Sequence, residues 1–182
     1  MKTLKNIFIV ALLFSAFQSK AQTDKATTQK IIDAQNYVFV ATMAFPLNSA
    51  DISKVLNSFP GSANSSGAIN LTGSNYDLTV TKDSLNTYLP YYGRSYTARI
   101  GTNEGGIKFK SKDFTYTKTE RKKGGWILNI KPKDVKDTYN SNYVLTLNVT
   151  TTGYATLIIT SNNQQSITYN GYLAEPKVKK DK

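Results

Sequence analysis

A chain of 182 residues with formal charge +11, no cysteine and no histidine is long enough for one domain with a single core, held together without disulfides. Lacking both residue types, it has no imidazole-activated nucleophile and no zinc or copper centre built on imidazole or thiolate. The positive surplus points to anionic partners, with plain solubility as the simpler explanation.

Lys2 and Lys5 precede an apolar run over residues 7–17 broken by Ser15, and Ser19-Lys20-Ala21 places small side chains at spacing two. This pattern predicts an export signal over residues 1–21, cut before Gln22. The apolar run falls well short of the roughly 20 residues that a membrane-crossing helix needs, so a permanent anchor is the weaker reading. With no cysteine at the cut to take a lipid, the expected product is a periplasmic or secreted chain of about 161 residues and charge about +8, with no transmembrane segment. Nucleic acid is then not an expected partner, whereas an anionic envelope component, an acidic glycan or an acidic protein is.

Residues 26–36 suit a short helix in which Ile31, Ile32 and the aliphatic part of Lys30 share a face. Residues 37–45, dense in Val, Phe, Ala and Thr, read as a strand that stops at Pro46. Ile52, Val55 and Leu56 suggest a second helix over 51–59, ended by Pro60-Gly61 and followed by a polar loop over 61–67. From there the period is two: Tyr76, Leu78 and Val80 alternate with polar residues, as do Phe114 with Tyr116. Trp126, Leu128 and Ile130 form a further set, and Tyr143, Leu145, Leu147 and Val149 another. Thr151-Thr152-Gly153 and Ser161-Asn162-Asn163 turn the chain into two further strands, the last carrying Ile167, Tyr169 and Leu173 on one face across Gly171. These three consecutive strands read as a meander. Shorter runs over 68–72, 96–100 and 107–111 bring the expected total to about eight to ten strands. The predicted fold is mainly β: an antiparallel up-and-down barrel of lipocalin or calycin type with a short N-terminal helix, an antiparallel sandwich being the alternative. The expected organisation is one β-rich domain over residues 22–174 and a charged flexible tail over 175–182.

Four segments in order carry a resemblance: Asn75-Tyr76-Asp77-Leu78, Tyr88-Leu89-Pro90-Tyr91-Tyr92-Gly93-Arg94-Ser95-Tyr96, Gly105-Gly106-Ile107-Lys108-Phe109, and Ser161-Asn162-Asn163-Gln164-Gln165-Ser166-Ile167. Together with Gly124-Gly125-Trp126 and Tyr169-Asn170-Gly171-Tyr172, they resemble the exported Gram-negative domain-of-unknown-function family numbered 4251, over roughly residues 34–173. The resemblance implies a calycin-like barrel and brings no substrate, cofactor or functional residue with it.

Two constellations stand out as candidate sites. Tyr88, Tyr91, Tyr92, Arg94 and Tyr96 combine phenols and a guanidinium able to stack on and hydrogen-bond a sugar or acidic ligand. The simpler reading is a structural turn at Pro90 and Gly93, with the Tyr rings plugging one end of the barrel and their hydroxyls left to solvent. Lys108, Lys110, Lys112, Arg121, Lys122 and Lys123, with Lys118 nearby, form a candidate anionic-surface patch. In the simpler reading, Lys108 and Lys110 face solvent opposite Ile107 and Phe109, residues 121–124 form a hairpin tip, and the charge protects sheet edges. No Ser-x-x-Lys or phosphate-loop spacing occurs, and no catalytic residue, metal site or cofactor is assigned; Asp134 and Asp137 do not make a calcium loop. Paired carboxylates drawn from Asp77, Asp83, Glu104, Asp113 and Glu120 would still allow hydrolase chemistry. The favoured reading is a non-enzymatic exported module binding a small molecule, glycan or lipid at the barrel mouth or through residues 88–96. The alternatives are an interaction protein using the lysine patch and a two-carboxylate envelope hydrolase.

Overall fold

The computed structural model describes residues 24–47, 67–96, 106–135 and 142–176. The predicted signal, the helix expected over 51–59, most of the loop over 61–67, all but Tyr96 of the strand expected over 96–100 and the tail beyond 176 lie outside them.

Helix α1 (Lys25–Asp33) opens on Asp24, whose carboxylate accepts the Thr27 N–H at 2.6 Å and is held below the usual carboxylate range by that bond. Its buried face is Thr28, Ile31 and Ile32. Lys30 is exposed, which corrects the expected face: the short Thr28 side chain takes the place against the barrel, while the lysine sits in the last turn, where a cation complements the helix dipole.

Among the described residues ten strands follow: β1 (Tyr37–Pro46), β2 (Ile69–Asn70), β3 (Asp77–Val80), β4 (Leu85–Leu89), β5 (Ile107–Ser111), β6 (Phe114–Glu120), β7 (Trp126–Pro132), β8 (Val144–Val149), β9 (Tyr154–Thr160) and β10 (Ile167–Ala174). All pairings are antiparallel along the order β5-β4-β3-β1-β10-β9-β8-β7-β6, with β2 a short addition to β1. β5 and β6 stand at opposite ends of this path, yet only Lys112 and Asp113 separate them in sequence. Eight antiparallel steps lie between them, so they run in the same direction, and a two-residue link between parallel-running neighbours is a bend, not a hairpin. Residues 107–120 therefore make one kinked strand whose first half pairs with β4 and whose second half pairs with β7. Through this shared strand the sheet nearly closes into an eight-membered, up-and-down barrel, with one edge of β5 and one of β6 unpaired among the described residues. The sandwich alternative does not fit this path.

The kink is clasped from β7. Asp134 accepts the Ser111 hydroxyl at 2.5 Å and the Lys112 N–H at 2.9 Å, and Lys133 N–H donates to the Asp113 carbonyl at 2.8 Å. The Ser111 hydroxyl first, and the Lys112 amide second, hold the Asp134 carboxyl below its ordinary range. A depressed folded-state value contributes stability above the unfolded value near pH 4, and that contribution disappears as pH falls through the folded value. Thermal melts from pH 6 to 2.5 are expected to show a smaller acid-side drop in Tm for Asp134→Asn than for the wild type. Parallel curves would mean that the clasp does not select the charged carboxyl.

The interior is packed with side chains. Phe39, Leu78, Leu85, Leu128, Leu147, Leu157 and Tyr169 are all fully buried and belong to one contiguous apolar cluster fed by every wall of the barrel. This suits the diameter of an eight-stranded ring, which side chains just fill. At the end where β1 begins, α1 covers the wall beside β6: Lys118 pairs with Asp33 at 2.5 Å. Nearby, burial raises the Tyr37 and Tyr116 phenols above their ordinary range.

Candidate functional site

The predicted aromatic constellation separates into three environments. Tyr88 lies on strand β4, not in a loop, points outward and is 41 % exposed. The strand extends that far because Leu85, Thr87 and Leu89 alternate inward with Asn86 and Tyr88 outward. Beyond Leu89 the chain becomes a strap across the barrel mouth. Tyr96 N–H donates to the Asn163 carbonyl at 2.8 Å, and Gln165 N–H donates to the Arg94 carbonyl at 3.0 Å. Ser95 and Gln164 form an isolated antiparallel bridge between these donors.

Two tyrosines fasten the strap from below. The Tyr91 hydroxyl sits 2.8 Å from the Arg94 carbonyl and 3.0 Å from that of Gln165. Tyr169, buried in β10, donates to the Pro90 carbonyl at 2.5 Å. Desolvation raises the Tyr169 phenol far above its ordinary range, so it stays a neutral donor. Tyr92 is half-buried, and desolvation followed by nearby Tyr76 raises it as well. Arg94 and Tyr96 are exposed on the strap. Tyr91 and Tyr169 thus use their hydroxyls to hold backbone, which corrects the plug reading: the Tyr91 hydroxyl, expected in solvent, is bound to two carbonyls that fix the strap.

The basic constellation divides too. Lys108 and Lys110 face outward on β5, and Lys112 is exposed at the kink. Arg121, Lys122 and Lys123 form the β6–β7 tip, where Arg121 N–H donates to the Gly125 carbonyl at 3.0 Å. The kinked strand carries the two groups to different ends, so they are not one patch.

What the sheet assembles instead is a mixed platform on the outer face of β3, β4 and β5. Register places Asp77, Tyr88 and Lys108 in one cross-strand row, and Thr79, Asn86 and Lys110 in the next. The Lys108 ammonium stands over the Tyr88 ring, 4.8 Å from its centroid. Tyr76 tilts against the same ring at 5.4 Å and 37°. A shallow depression of about 400 Å³ runs over Asn86, Tyr88, Lys108 and Lys110. A cation resting on an exposed ring is worth about 0.5–1 kcal/mol, enough to bias the lysine toward one position without burying it. The platform thus offers an aromatic edge and face, an amide and two ammonium groups within a few strand spacings, with the Asp77 carboxylate in the same row as Tyr88. Neither Tyr76, which the alternation grouped with Leu78 and Val80, nor Asn86 was a candidate site residue from sequence: a ring contact just before β3 brings Tyr76 to Tyr88, and register places Asn86 beside Lys110.

The four described candidate carboxylates are spread over separate elements. Asp77 lies on β3, Asp83 in the β3–β4 turn, Asp113 at the kink 3.3 Å from Lys133, and Glu120 at the end of β6; Glu104 lies outside the described residues. Asp134 is occupied by the clasp, and Asp137 is not described. Among the described residues no cluster of carboxylates is placed to hold a metal ion, and no helix is long and apolar enough to cross a membrane.

A mainly β protein whose antiparallel sheet nearly closes into a barrel is the class that the fold defines. The family model "Domain of unknown function (DUF4251)" matches residues 19–173, so the chain belongs to that family. The crystal structure of a DUF4251 family protein from Bacteroides eggerthii aligns with a TM-score of 0.52 at 13% identity, covering 83% of this chain and 87% of that one; this likeness concerns the fold. No curated protein matches the chain.

Proposed function

We propose that this protein is an exported, non-enzymatic binding module that takes an acidic glycan on the β3–β4–β5 platform. In this reading the signal is removed near Ala21 and the mature chain works in the periplasm or outside the cell. The observation that carries the reading is Lys108 poised over the exposed Tyr88 ring with Lys110 two residues along the same strand. A sugar ring stacks its C–H face on a tyrosine, while a uronate carboxylate on the same chain pairs with a neighbouring ammonium. The barrel interior, filled by side chains, favours an outer-wall site over a ligand in the lumen. The separation of Arg121, Lys122 and Lys123 from Lys108 and Lys110 favours a local site over a broad electrostatic patch.

Calorimetry with oligogalacturonides, against maltooligosaccharides of equal length, tests the proposal. The acidic oligomers are expected to bind preferentially and to lose affinity with added salt. Tyr88→Ala and the double variant Lys108→Gln/Lys110→Gln are each expected to weaken binding by about tenfold, the equivalent of roughly 1.4 kcal/mol. Equal affinity for the neutral series, or binding indifferent to both variants, overturns the assignment.

A further inference from the structure

At the helix end of the barrel, away from the platform, a cleft of about 170 Å³ opens between α1, the β6–β7 tip and the β8–β9 turn. Lys25 and Gln29 come from the helix, Glu120 and Arg121 from the tip, and Trp126 and Thr151 from the barrel rim. Its floor depends on bare backbone: Gly124 and Gly125 adopt φ of +88° and +85°. A Cβ on Gly125 would overlap the Val149 carbonyl, and one on Gly124 would come within 3.2 Å of the Thr151 methyl. The tip is itself held closed, Gly124 N–H donating to the Arg121 carbonyl at 2.9 Å. The concavity is thus a fixed feature of the hairpin and not a gap between exposed side chains.

The charges around it are two cations, Lys25 and Arg121, and one anion, Glu120. Among the described residues the ion pairs are Lys118 with Asp33 and Lys133 with Asp113, so within them none of the three cleft charges has an ion-pair partner. A ligand that complements this set carries about two negative charges and one positive charge. A phosphomonoester supplies about −1.5 to −2 at pH 7, and an ammonium group on the same small skeleton supplies the positive charge. A cavity near 150 Å³ accommodates a benzene-sized molecule, so 170 Å³ suits roughly eight non-hydrogen atoms. We propose that the cleft binds an aminoalkyl phosphomonoester, its phosphate against Arg121 and Lys25 and its ammonium against Glu120. A phosphodiester, as in a lipid headgroup, has one negative charge fewer and is the poorer fit.

Trp126 is the chain's only tryptophan and forms part of the cleft wall, so its fluorescence reports occupancy without interference from the platform. Full-length protein titrated with O-phosphoethanolamine is expected to show a saturable change, with inorganic phosphate and glycerophosphoethanolamine each binding at least fivefold more weakly and ethanolamine not binding. Arg121→Gln is expected to weaken O-phosphoethanolamine at least tenfold. Glu120→Gln is expected to bring O-phosphoethanolamine and inorganic phosphate to equal affinity, while Lys108→Gln leaves the titration unchanged. No saturable change, an unaltered Arg121→Gln, or wild-type protein that does not distinguish O-phosphoethanolamine from inorganic phosphate overturns the proposal. Preference for glycerophosphoethanolamine overturns the monoester assignment in favour of a headgroup diester.

Discussion

Gly171→Val is expected to prevent folding, and Gly171→Ala to cost about 3 kcal/mol or more. Gly171 lies in β10 opposite Ala41, beside the register shift between Ala41 and Met43. A Cβ there would overlap the Val40 carbonyl and approach the Phe39 ring at 3.0 Å. The first obstacle is backbone, which cannot rotate aside as a side chain can, and the second is a fully buried ring already filling the interior. Relief would require pulling β1 from β10, the pairing that joins the first barrel strand to the last. With a typical domain stability of about 5–15 kcal/mol, such a loss takes the protein to the margin. Urea unfolding followed by circular dichroism reads the effect; an alanine variant with the wild-type midpoint would contradict the close β1–β10 approach.

Leu147→Ala is expected to destabilise the protein by about 3–5 kcal/mol. Leu147 faces inward on β8, paired with Leu128 on β7 and Leu157 on β9, and all three are fully buried. Deleting its isobutyl group removes buried apolar area and leaves a hole that strand hydrogen bonding prevents from collapsing. The same denaturation experiment measures the cost, with an unchanged denaturant slope. A loss below about 1 kcal/mol would indicate unfilled space in the barrel and return the lumen to consideration as a ligand site.

The strands were legible in the sequence wherever one face is buried and the other is wet. β7 to β10 show that alternation cleanly because each has a filled interior on one side and solvent on the other. The meander followed from the short polar turns between β8, β9 and β10. Less legible was the number of strands in the ring. Residues 107–111 and 114–120 read as two runs, and only their pairing with different neighbours reveals a single kinked strand. The site was less legible still. Chain proximity grouped Tyr88 with Tyr96 and Lys108 with Arg121, whereas register moved Tyr88 onto the wall beside Lys108 and sent Arg121 to the cleft under α1. Periodicity states which way a side chain faces, and says nothing about which strand lies next to it. Lys30 and Thr28 make the same point for the helix: the burial of Thr28 depends on what α1 packs against.

Because β1 hydrogen-bonds to β10, with Thr42 donating to a carbonyl 128 residues further along the chain, the ring has no seam that can be completed early. A nascent polypeptide emitting residues in order would hold its opening strand without its C-terminal neighbour until synthesis was nearly finished. Loop-closure entropy of that span slows folding. The delay keeps the chain pliable, so that the topology itself postpones compaction until the last strand has been made.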